Sequence, residues 1–299
     1  MKHAMVGAGG VGGLLGASLR HAGDGVAMVV RKGTREKYPS TLHVDSTFGT
    51  FDENVEWTER VPAADVVWLA VKALQLGDAI ALIAQGAKPQ AIVPLLNGVD
   101  HIALLRSKFG EDVVIPATIA VETERTAPGQ IVHRSPFAKL NISSRGKALL
   151  GKTLEQLRQI GFTGEFIDSE PTLMWGKLVF LGPLALSTTA VNRTIGELVS
   201  NPETWSDLQT CVREACEVGT AEGARLNVEV VIKAILALPA PMKSSMQKDV
   251  EQGRAPEVDA IGGAIVRAAR RRGISVPVTQ RLIEAVAQRA GIHRPDVEA

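Results

Sequence analysis

Close to the N-terminus the chain runs Val6-Gly7-Ala8-Gly9-Gly10-Val11-Gly12-Gly13, which contains the pattern Gly-x-Gly-x-x-Gly. The stretch follows the apolar run Ala4-Met5-Val6 and precedes an apolar helical stripe. In that context Gly7 predicts a tight turn, Gly9 leaves room for a pyrophosphate, and Gly12 lets the next helix pack on the strand. The N-terminus of that helix favours an anion. A dinucleotide-binding turn is therefore expected; the alternative is a purely structural glycine-rich turn, since glycine makes up 29 of 299 residues.

Length and composition narrow the class of protein. A chain of 299 residues exceeds what one core usually fills, so two domains are expected. A formal net charge of +1 offers no broad field for nucleic acid or a membrane surface, which favours a small-molecule partner. The six histidines lack zinc-ligand spacing, and no metal site is expected. The most apolar stretch, Leu178–Val191, is too short to span a membrane and contains Pro183; with no visible signal peptide, a cytoplasmic location is expected.

Hydrophobic patterning predicts an α/β first half and a helical second half. Apolar runs typical of buried strands occur at 26–30, 65–71, 91–96 and 113–117. From Glu170 onward the pattern changes to amphipathic helices without a convincing strand. The expected fold is an N-terminal Rossmann-type doubly wound sheet over residues 1–168, followed by an all-helical domain over residues 169–299. The two domains are expected to pack closely, with a cleft between them.

The end of the second predicted strand bears on the choice of nicotinamide cofactor. An NAD site usually places an acidic residue there to bind the ribose hydroxyls. This chain has Arg31 and Lys32 instead, with Arg35 nearby. Such a cluster suits a 2′-phosphate through charge-assisted hydrogen bonds, so NADP is predicted. The alternative is a solvated basic loop.

Two further polar residues follow predicted strands. Lys72 follows the strand over 65–71, and Asn97-Gly98 follows the strand over 91–96. Ligands of such sheets bind beyond the carboxyl ends of the strands, so both positions are candidates for the cofactor or substrate surface. The Asn97 amide could hydrogen-bond a ribose or a substrate oxygen. The alternatives are a surface lysine and an ordinary Asn-Gly turn.

Lys177 is the candidate proton donor of the helical half. It follows Trp175-Gly176 and precedes the apolar run Leu178–Leu181. Burial lowers the pKa of a lysine, which a proton donor working near neutral pH requires. The alternative is a lysine that extends its ammonium group from a helix face into water.

In combination these features resemble the ketopantoate (2-dehydropantoate) reductase family over nearly the full length. The resemblance rests on the glycine motif, Arg31, Lys72, Asn97-Gly98, Trp175-Gly176-Lys177-Leu178, Ser244-Ser245-Met246, Glu257-Val258-Asp259 and Gly273-Ile274-Ser275-Val276-Pro277. It implies NADPH-dependent reduction of 2-dehydropantoate to (R)-pantoate, a step of pantothenate biosynthesis, in the cleft between the two domains.

The resemblance also implies roles for individual residues. Lys177 falls at the proton-donor position, and Glu257 falls at the acidic position beside the ribose and the substrate. Ser245 and Asn97 fall at substrate-binding positions. The implied cofactor surface consists of Gly7, Ala8, Gly9, Gly10, Val11, Gly12, Arg31, Lys72, Asn97, Val121 through its backbone, and Glu257.

Three positions depart from the family pattern. Leu181, Ile195 and Met242 stand where the family commonly has asparagines that would hydrogen-bond a hydroxylated substrate. Loss of such partners weakens binding by roughly 1 kcal/mol or more for each bond. Two alternatives therefore stay open: a related NADPH-dependent reductase of a more apolar 2-keto acid, and a non-catalytic NADP-binding protein. The amphipathic helices also allow a homodimer.

Overall fold

The structure is a computed structural model that describes residues 1–84 and 87–293. The chain divides into two compact units. The first unit comprises Met1–Leu96 and His101–Asp168, and the second comprises Asn97–Asp100 and Ser169–Ala299. The end of the predicted helical domain, residues 294–299, lies outside the described residues.

The first unit contains the strands. They are β1 (Lys2–Val6), β2 (Gly25–Val29), β3 (Thr41–Ser46), β4 (Gly49–Asn54), β5 (Glu56–Thr58), β6 (Val66–Leu69), β7 (Ala91–Pro94), β8 (Ala117–Ala127), β9 (Gln130–Ser143) and β10 (Phe166–Ile167). Four α-helices accompany them in the described part of this unit: α1 (Gly10–His21), α2 (Leu76–Ala84), α3 (Asp100–Phe109, whose first residue belongs to the second unit) and α4 (Lys147–Gln159).

A five-stranded parallel sheet, in the order β5-β2-β1-β6-β7, is the base of this unit. Its two faces pack against different helices. Met5 and Trp68 belong to the core that contains Leu15 of α1, whereas the next residues along the strands pack with Ile83 of α2 and Leu105 of α3. Helices on both faces make the sheet doubly wound, so the predicted fold class of this half is confirmed.

The register of the sheet brings three loops together. Val6, the last residue of β1, pairs with Val29 of β2 and with Leu69 of β6. The glycine-rich loop, the Arg31 loop and the Lys72 loop therefore start side by side, at the point where the strand order reverses. Ligands of doubly wound sheets bind at that point.

The second sheet differs from the expectation at one strand. The order is β10-β9-β3-β4, with β8 paired to β9. A strand was expected over 113–117, but there Val114 forms only an isolated bridge with Ile92, and the long β8–β9 hairpin begins at Ala117. The ladder with β7 stops because Ile92 donates to Val113 and the next donor position of β7 is Pro94, which has no N–H group.

The second unit is helical. Its helices are α5 (Glu170–Val191), α6 (Ile195–Ser200), α7 (Pro202–Ala221), α8 (Val228–Leu236), α9 (Ser245–Glu251), α10 (Ala264–Arg272) and α11 (Pro277–Ala290), with a π-helix at Asp259–Gly263 directly before α10. No strand occurs in the described part of this unit, which confirms the predicted all-helical fold. Helix α6 was not predicted from the sequence. Its signal was present, because Thr194 and Glu197 form a capping box at its start.

Helix α5 is the centre of the second unit and packs against α7, α9 and α11. It begins earlier than the apolar stretch Leu178–Val191, because Ser169 caps it by accepting the N–H of Thr172. By length and composition it could span a membrane, so the expectation that this segment is too short was wrong. In the structure 67% of its most apolar window is buried, which identifies it as a core helix.

Candidate functional site

The glycine-rich loop is shaped by its own packing at two positions. Gly7 has φ +105°, and a Cβ there would lie 2.5 Å from the carbonyl oxygen of Ala70. A Cβ on Gly12 would lie 1.9 Å from the carbonyl oxygen of Gly7. Both positions exclude a side chain because backbone fills the space. The tight turn and the close approach of helix to strand that the motif predicts are both present.

At Gly9, neither the backbone conformation nor the packing requires a glycine. Its φ of −80° is accessible to every residue, and a Cβ would meet no atom within 4 Å. It caps α1, which has no side-chain cap and no acidic residue in its first turn. A helix N-terminus of this kind offers unpaired N–H groups and a positive dipole end. The open space above Gly9 fits a phosphate group that approaches the backbone closely.

The neighbouring loops lie beside this turn. Ala70, which contacts Gly7, is two residues before Lys72, whose N–H bonds to the side chain of Gln75 at 3.4 Å. A Cβ on Gly10 would lie 2.6 Å from the carbonyl oxygen of Thr123, at the β-bulge that begins at Val121. The structure thus brings Lys72 and Val121 close to the glycine-rich loop. Ala8 is buried and Val11 is half-buried within it.

The Arg31 loop is held by an acidic residue that the sequence analysis did not identify. Oε1 of Glu59 accepts the N–H groups of Thr34 and Arg35, at 3.1 and 3.3 Å. Nε of Arg35 donates to the carbonyl oxygen of Trp57 at 2.8 Å. The side chains of Arg31 and Lys32 are exposed, and neither bonds to any described residue. The basic cluster available to a phosphate therefore narrows to Arg31 and Lys32.

In the second unit, three of the predicted site residues form one hydrogen-bonded group. Nζ of Lys177, on α5, donates to Oδ1 of Asn97 at 3.0 Å. Nδ2 of Asn97 donates to Oε2 of Glu257 at 2.9 Å. All three side chains are half-buried. This group, Lys177–Asn97–Glu257, is called the triad below.

Burial changes the proton affinity of the triad. It lowers the pKa of Lys177 from 10.5 to about 8, while the negative charge of Glu257 acts in the opposite direction. An ammonium group with this pKa is mostly protonated at neutral pH and gives up its proton more readily than an exposed lysine. The arrangement can therefore stabilise a developing negative charge and then donate a proton.

The loop that carries Asn97 lies directly against the turn that follows Glu257. Gly98 has φ +84°, and a Cβ there would lie 2.1 Å from the carbonyl oxygen of Ala260. Only glycine permits both that conformation and that contact. The Asn-Gly pair is therefore a packing requirement of the triad as well as a turn.

The two serines of the Ser-Ser-Met stretch have different surroundings. Ser244 is buried, caps α9 by accepting the N–H of Gln247 at 3.2 Å, and bonds to Thr188 at 2.9 Å. Ser245 is exposed at the first position of α9. Among the described residues no hydrogen bond joins Ser245 to the triad, so its proposed role depends on contact with a ligand.

One of the three apolar departures lies in the core cluster of the second unit, and the other two pack against it. Leu181 follows Lys177 by one helical turn on α5, and Ile195 is only 2% exposed. The N–H of Ile195 donates to the carbonyl oxygen of Met242 at 3.1 Å. Leu181 and Met242 are partly buried against the same cluster. These positions supply methyl groups where an amide would supply hydrogen bonds.

Comparison with known proteins gives matches in both units. Residues 3–146 match the family described as ketopantoate reductase PanE/ApbA, and residues 172–290 match the C-terminal domain of the same family. The uncharacterized oxidoreductase YkpB of Bacillus subtilis is 27% identical over 94% of this chain and 96% of its own. The 2-dehydropantoate 2-reductase of Halobacterium salinarum is 26% identical over 97% of this chain and all of its own length.

Solved structures share the complete fold. A PanE/ApbA family ketopantoate reductase from Ralstonia eutropha superposes with a TM-score of 0.86, at 26% identity, over 97% of this chain and 99% of that one. D-mandelate dehydrogenase in complex with NADH and anilino(oxo)acetate gives a TM-score of 0.86 at 21% identity, over 97% and 98% of the two chains. At that identity the second likeness concerns the fold alone.

Proposed function

We propose a function from one premise: this chain belongs to the ketopantoate reductase PanE/ApbA family. It is an NAD(P)-dependent oxidoreductase, and the activity we propose is NADPH-dependent reduction of a 2-keto acid, with 2-dehydropantoate as the first candidate substrate and (R)-pantoate as its product. One observation carries the proposal: a lysine whose pKa is lowered to about 8 is held by Asn97, which is held in turn by Glu257.

In this reaction Lys177 acts on the keto oxygen. NADPH, when bound, supplies the hydride that adds to C2 of the substrate. The ammonium group of Lys177 stabilises the negative charge that develops on the oxygen, donates a proton to it, and is reprotonated from solvent. Asn97 uses the carbonyl oxygen of its side-chain amide to orient that ammonium group, which leaves the remaining N–H bonds of Lys177 for the substrate.

Glu257 has a supporting role in this proposal. Its carboxylate fixes the orientation of the Asn97 amide by accepting from Nδ2, so that Oδ1 faces Lys177. Its charge also favours the protonated form of Lys177. A further contact with the ribose or with a substrate hydroxyl remains part of the proposal, as does the contact of Ser245 with the substrate.

Support for NADPH comes from the first unit. The open space at Gly9 and the uncapped N-terminus of α1 fit the pyrophosphate. The exposed side chains of Arg31 and Lys32 suit a 2′-phosphate, and no acidic residue stands at the end of β2. D-mandelate dehydrogenase binds NADH, so the choice between the two cofactors needs a direct test in this chain.

The apolar side chains of Leu181, Ile195 and Met242 favour a second candidate, a 2-keto acid with a less hydroxylated side chain. A pocket that lacks hydrogen-bond partners leaves a substrate hydroxyl group unpaired. The lysine chemistry is the same for both candidates.

Steady-state oxidation of NADPH by the purified protein distinguishes the two candidate substrates. The assay compares kcat/KM for 2-dehydropantoate with that for 2-keto acids whose side chains are purely apolar. The highest value for 2-dehydropantoate would support the first candidate, and the highest value for an apolar keto acid would support the second. Tight binding of NADPH without turnover of any 2-keto acid would reject both and favour a non-catalytic NADP-binding protein.

A further inference from the structure

We propose that Arg267 is a positioning residue for the triad, because its guanidinium group ties the loop that carries Asn97 to the turn that follows Glu257. Its effect on turnover rests on the proposed function, whereas its hold on the loop does not. Arg267 itself makes no described contact with Lys177, Asn97 or Glu257, so it acts through the backbone segments that carry them.

The guanidinium group bridges two carboxylates. Nε and Nη2 of Arg267 both donate to Oδ2 of Asp100, at 3.0 and 2.8 Å. Nη1 donates to Oδ1 of Asp259 at 2.6 Å, and Nη2 also donates to the carbonyl oxygen of Asp259 at 3.2 Å. The side chain of Arg267 is 18% exposed, whereas those of Asp100 and Asp259 are 41% and 56% exposed, so the guanidinium group is the shielded part of the bridge. This bridge, Asp100–Arg267–Asp259, is called the clamp.

The clamp joins the loop that carries Asn97 to the turn that follows Glu257. Asp100 is three residues after Asn97, and Asp259 is two residues after Glu257. Between them the backbones touch, since Gly98 has no room for a Cβ beside the carbonyl oxygen of Ala260. Glycine allows this contact but provides no side chain to hold it. The clamp adds two ionic contacts to the hydrogen bond from Asn97 to Glu257 that also links the two segments.

The π-helix brings the side chains of Arg267 and Asp259 to the same face of the helix. In a regular α-helix two residues eight positions apart point about 80° away from each other, at about 100° per residue. The π-helix at Asp259–Gly263 inserts one extra residue into the turn. With that insertion the two positions behave as i and i+7, which differ by only about 20°. Long helical side chains also lean toward the N-terminus, so Arg267 can reach back to Asp259.

An arginine is needed because one side chain donates four hydrogen bonds, two to Asp100 and two to Asp259. The planar guanidinium group offers five N–H donors in a fixed fork, whereas a lysine offers a single ammonium group. If the clamp is lost, the loop that carries Asn97 can move. The Asn97 amide then cannot accept from Lys177 and donate to Glu257 at the same time. A misplacement of about 1 Å can reduce turnover by about 100-fold.

The first arm of the test needs no turnover. Amide hydrogen exchange is followed by mass spectrometry in the first two turns of α3 and in the turn after Glu257, where the N–H of Ile261 donates to the carbonyl oxygen of Glu257 at 3.1 Å. The proteins compared are wild type, Arg267→Met, Asp100→Ala and Arg281→Met. Arg281 is the matched control, because it also makes a forked ion pair in the second unit, with Asp207 at 2.6 and 3.0 Å. We expect exchange at least about tenfold faster in the first two variants and unchanged in the control. Unchanged exchange in Arg267→Met overturns the proposal, as does an equal increase in the control.

The second arm uses the 2-keto acid that the wild type reduces. We expect kcat to fall about tenfold or more in Arg267→Met, with the KM for NADPH unchanged. Asp100→Ala removes the other half of the same clamp, so it carries the same expectation if Arg267→Met does not fold. Faster exchange with wild-type kcat overturns the positioning role. If the wild type reduces no 2-keto acid, the proposed function fails, and the exchange arm alone decides whether Arg267 holds the loop.

Discussion

Lys177 and Glu257 are joined through a single side chain, since Asn97 accepts from the ammonium group at 3.0 Å and donates to the carboxylate at 2.9 Å. An amide has one acceptor end and one donor end, so this pairing fixes its orientation. It also places a neutral group between the two charges. Lys177 therefore keeps a proton that it can donate to a substrate, and burial keeps the pKa of Lys177 low.

The first prediction concerns the proton donor. Replacement of Lys177 by alanine should reduce kcat by at least about 100-fold, because general-acid catalysis contributes that much or more. The dissociation constant for NADPH should stay nearly unchanged. Lys243→Ala is the control, since Lys243 is partly exposed and pairs with Glu251. Near-normal turnover by Lys177→Ala would remove the proposed role.

The second prediction concerns pH. Burial of a lysine disfavours the charged form, so its pKa falls, here to about 8. The donor must be protonated, so kcat/KM should be constant below pH 8 and should fall about tenfold per pH unit above it. A profile that stays flat up to pH 10 would contradict a donor with this pKa. The residual activity of Lys177→Ala should not show this fall in kcat/KM above pH 8.

The third prediction separates two glycines of the N-terminal loop. Gly12→Ala should lower the free energy of unfolding by about 1–3 kcal/mol, since its Cβ would collide with the carbonyl oxygen of Gly7. Gly9→Ala should leave the melting temperature unchanged, because nothing lies within 4 Å, yet should weaken NADPH binding by about tenfold or more. Calorimetry and fluorescence titration measure the two effects. Unchanged NADPH binding by Gly9→Ala would argue against a pyrophosphate at that position.

The fourth prediction concerns cofactor choice. Arg31→Ala should raise the KM for NADPH by about tenfold or more and leave the KM for NADH unchanged, because only NADPH carries the 2′-phosphate. Arg35→Ala removes the same charge from the same loop but should have the smaller effect, since Nε of Arg35 is bound to the carbonyl oxygen of Trp57. Equal KM values for NADPH and NADH in the wild type would contradict the assignment of Arg31.

The sequence predicted the fold class where local chemistry decides it. Gly7 and Gly12 are dictated by backbone contacts, and the apolar runs of β6 and β7 are buried throughout. The strand expected over 113–117 does not form because Pro94 of β7 has no N–H group to extend the ladder. Helix α6 was missed although Thr194 and Glu197 marked its start. Short elements depend on single caps and single prolines, so periodicity alone does not find them.

The candidate site was harder to predict, because its members are far apart in the chain. Asn97 is 80 positions from Lys177 and 160 from Glu257. Asn97 and Lys177 were identified from their positions in the sequence and Glu257 from the family resemblance, but the hydrogen bonds between them were not predicted. The clamp could not be predicted either, since regular helical geometry points Arg267 away from Asp259. Their roles in catalysis stay predictions until the variants are measured.

Transfer of deuterium tests the central claim most directly. The protein is incubated with NADPH that carries deuterium at both C4 positions and with the preferred 2-keto acid, and the product is examined by mass spectrometry. We expect a 2-hydroxy acid with deuterium at C2, formed by the wild type and nearly absent with Lys177→Ala. A wild-type protein that forms no deuterated hydroxy acid from any 2-keto acid, although it binds NADPH, would contradict the account.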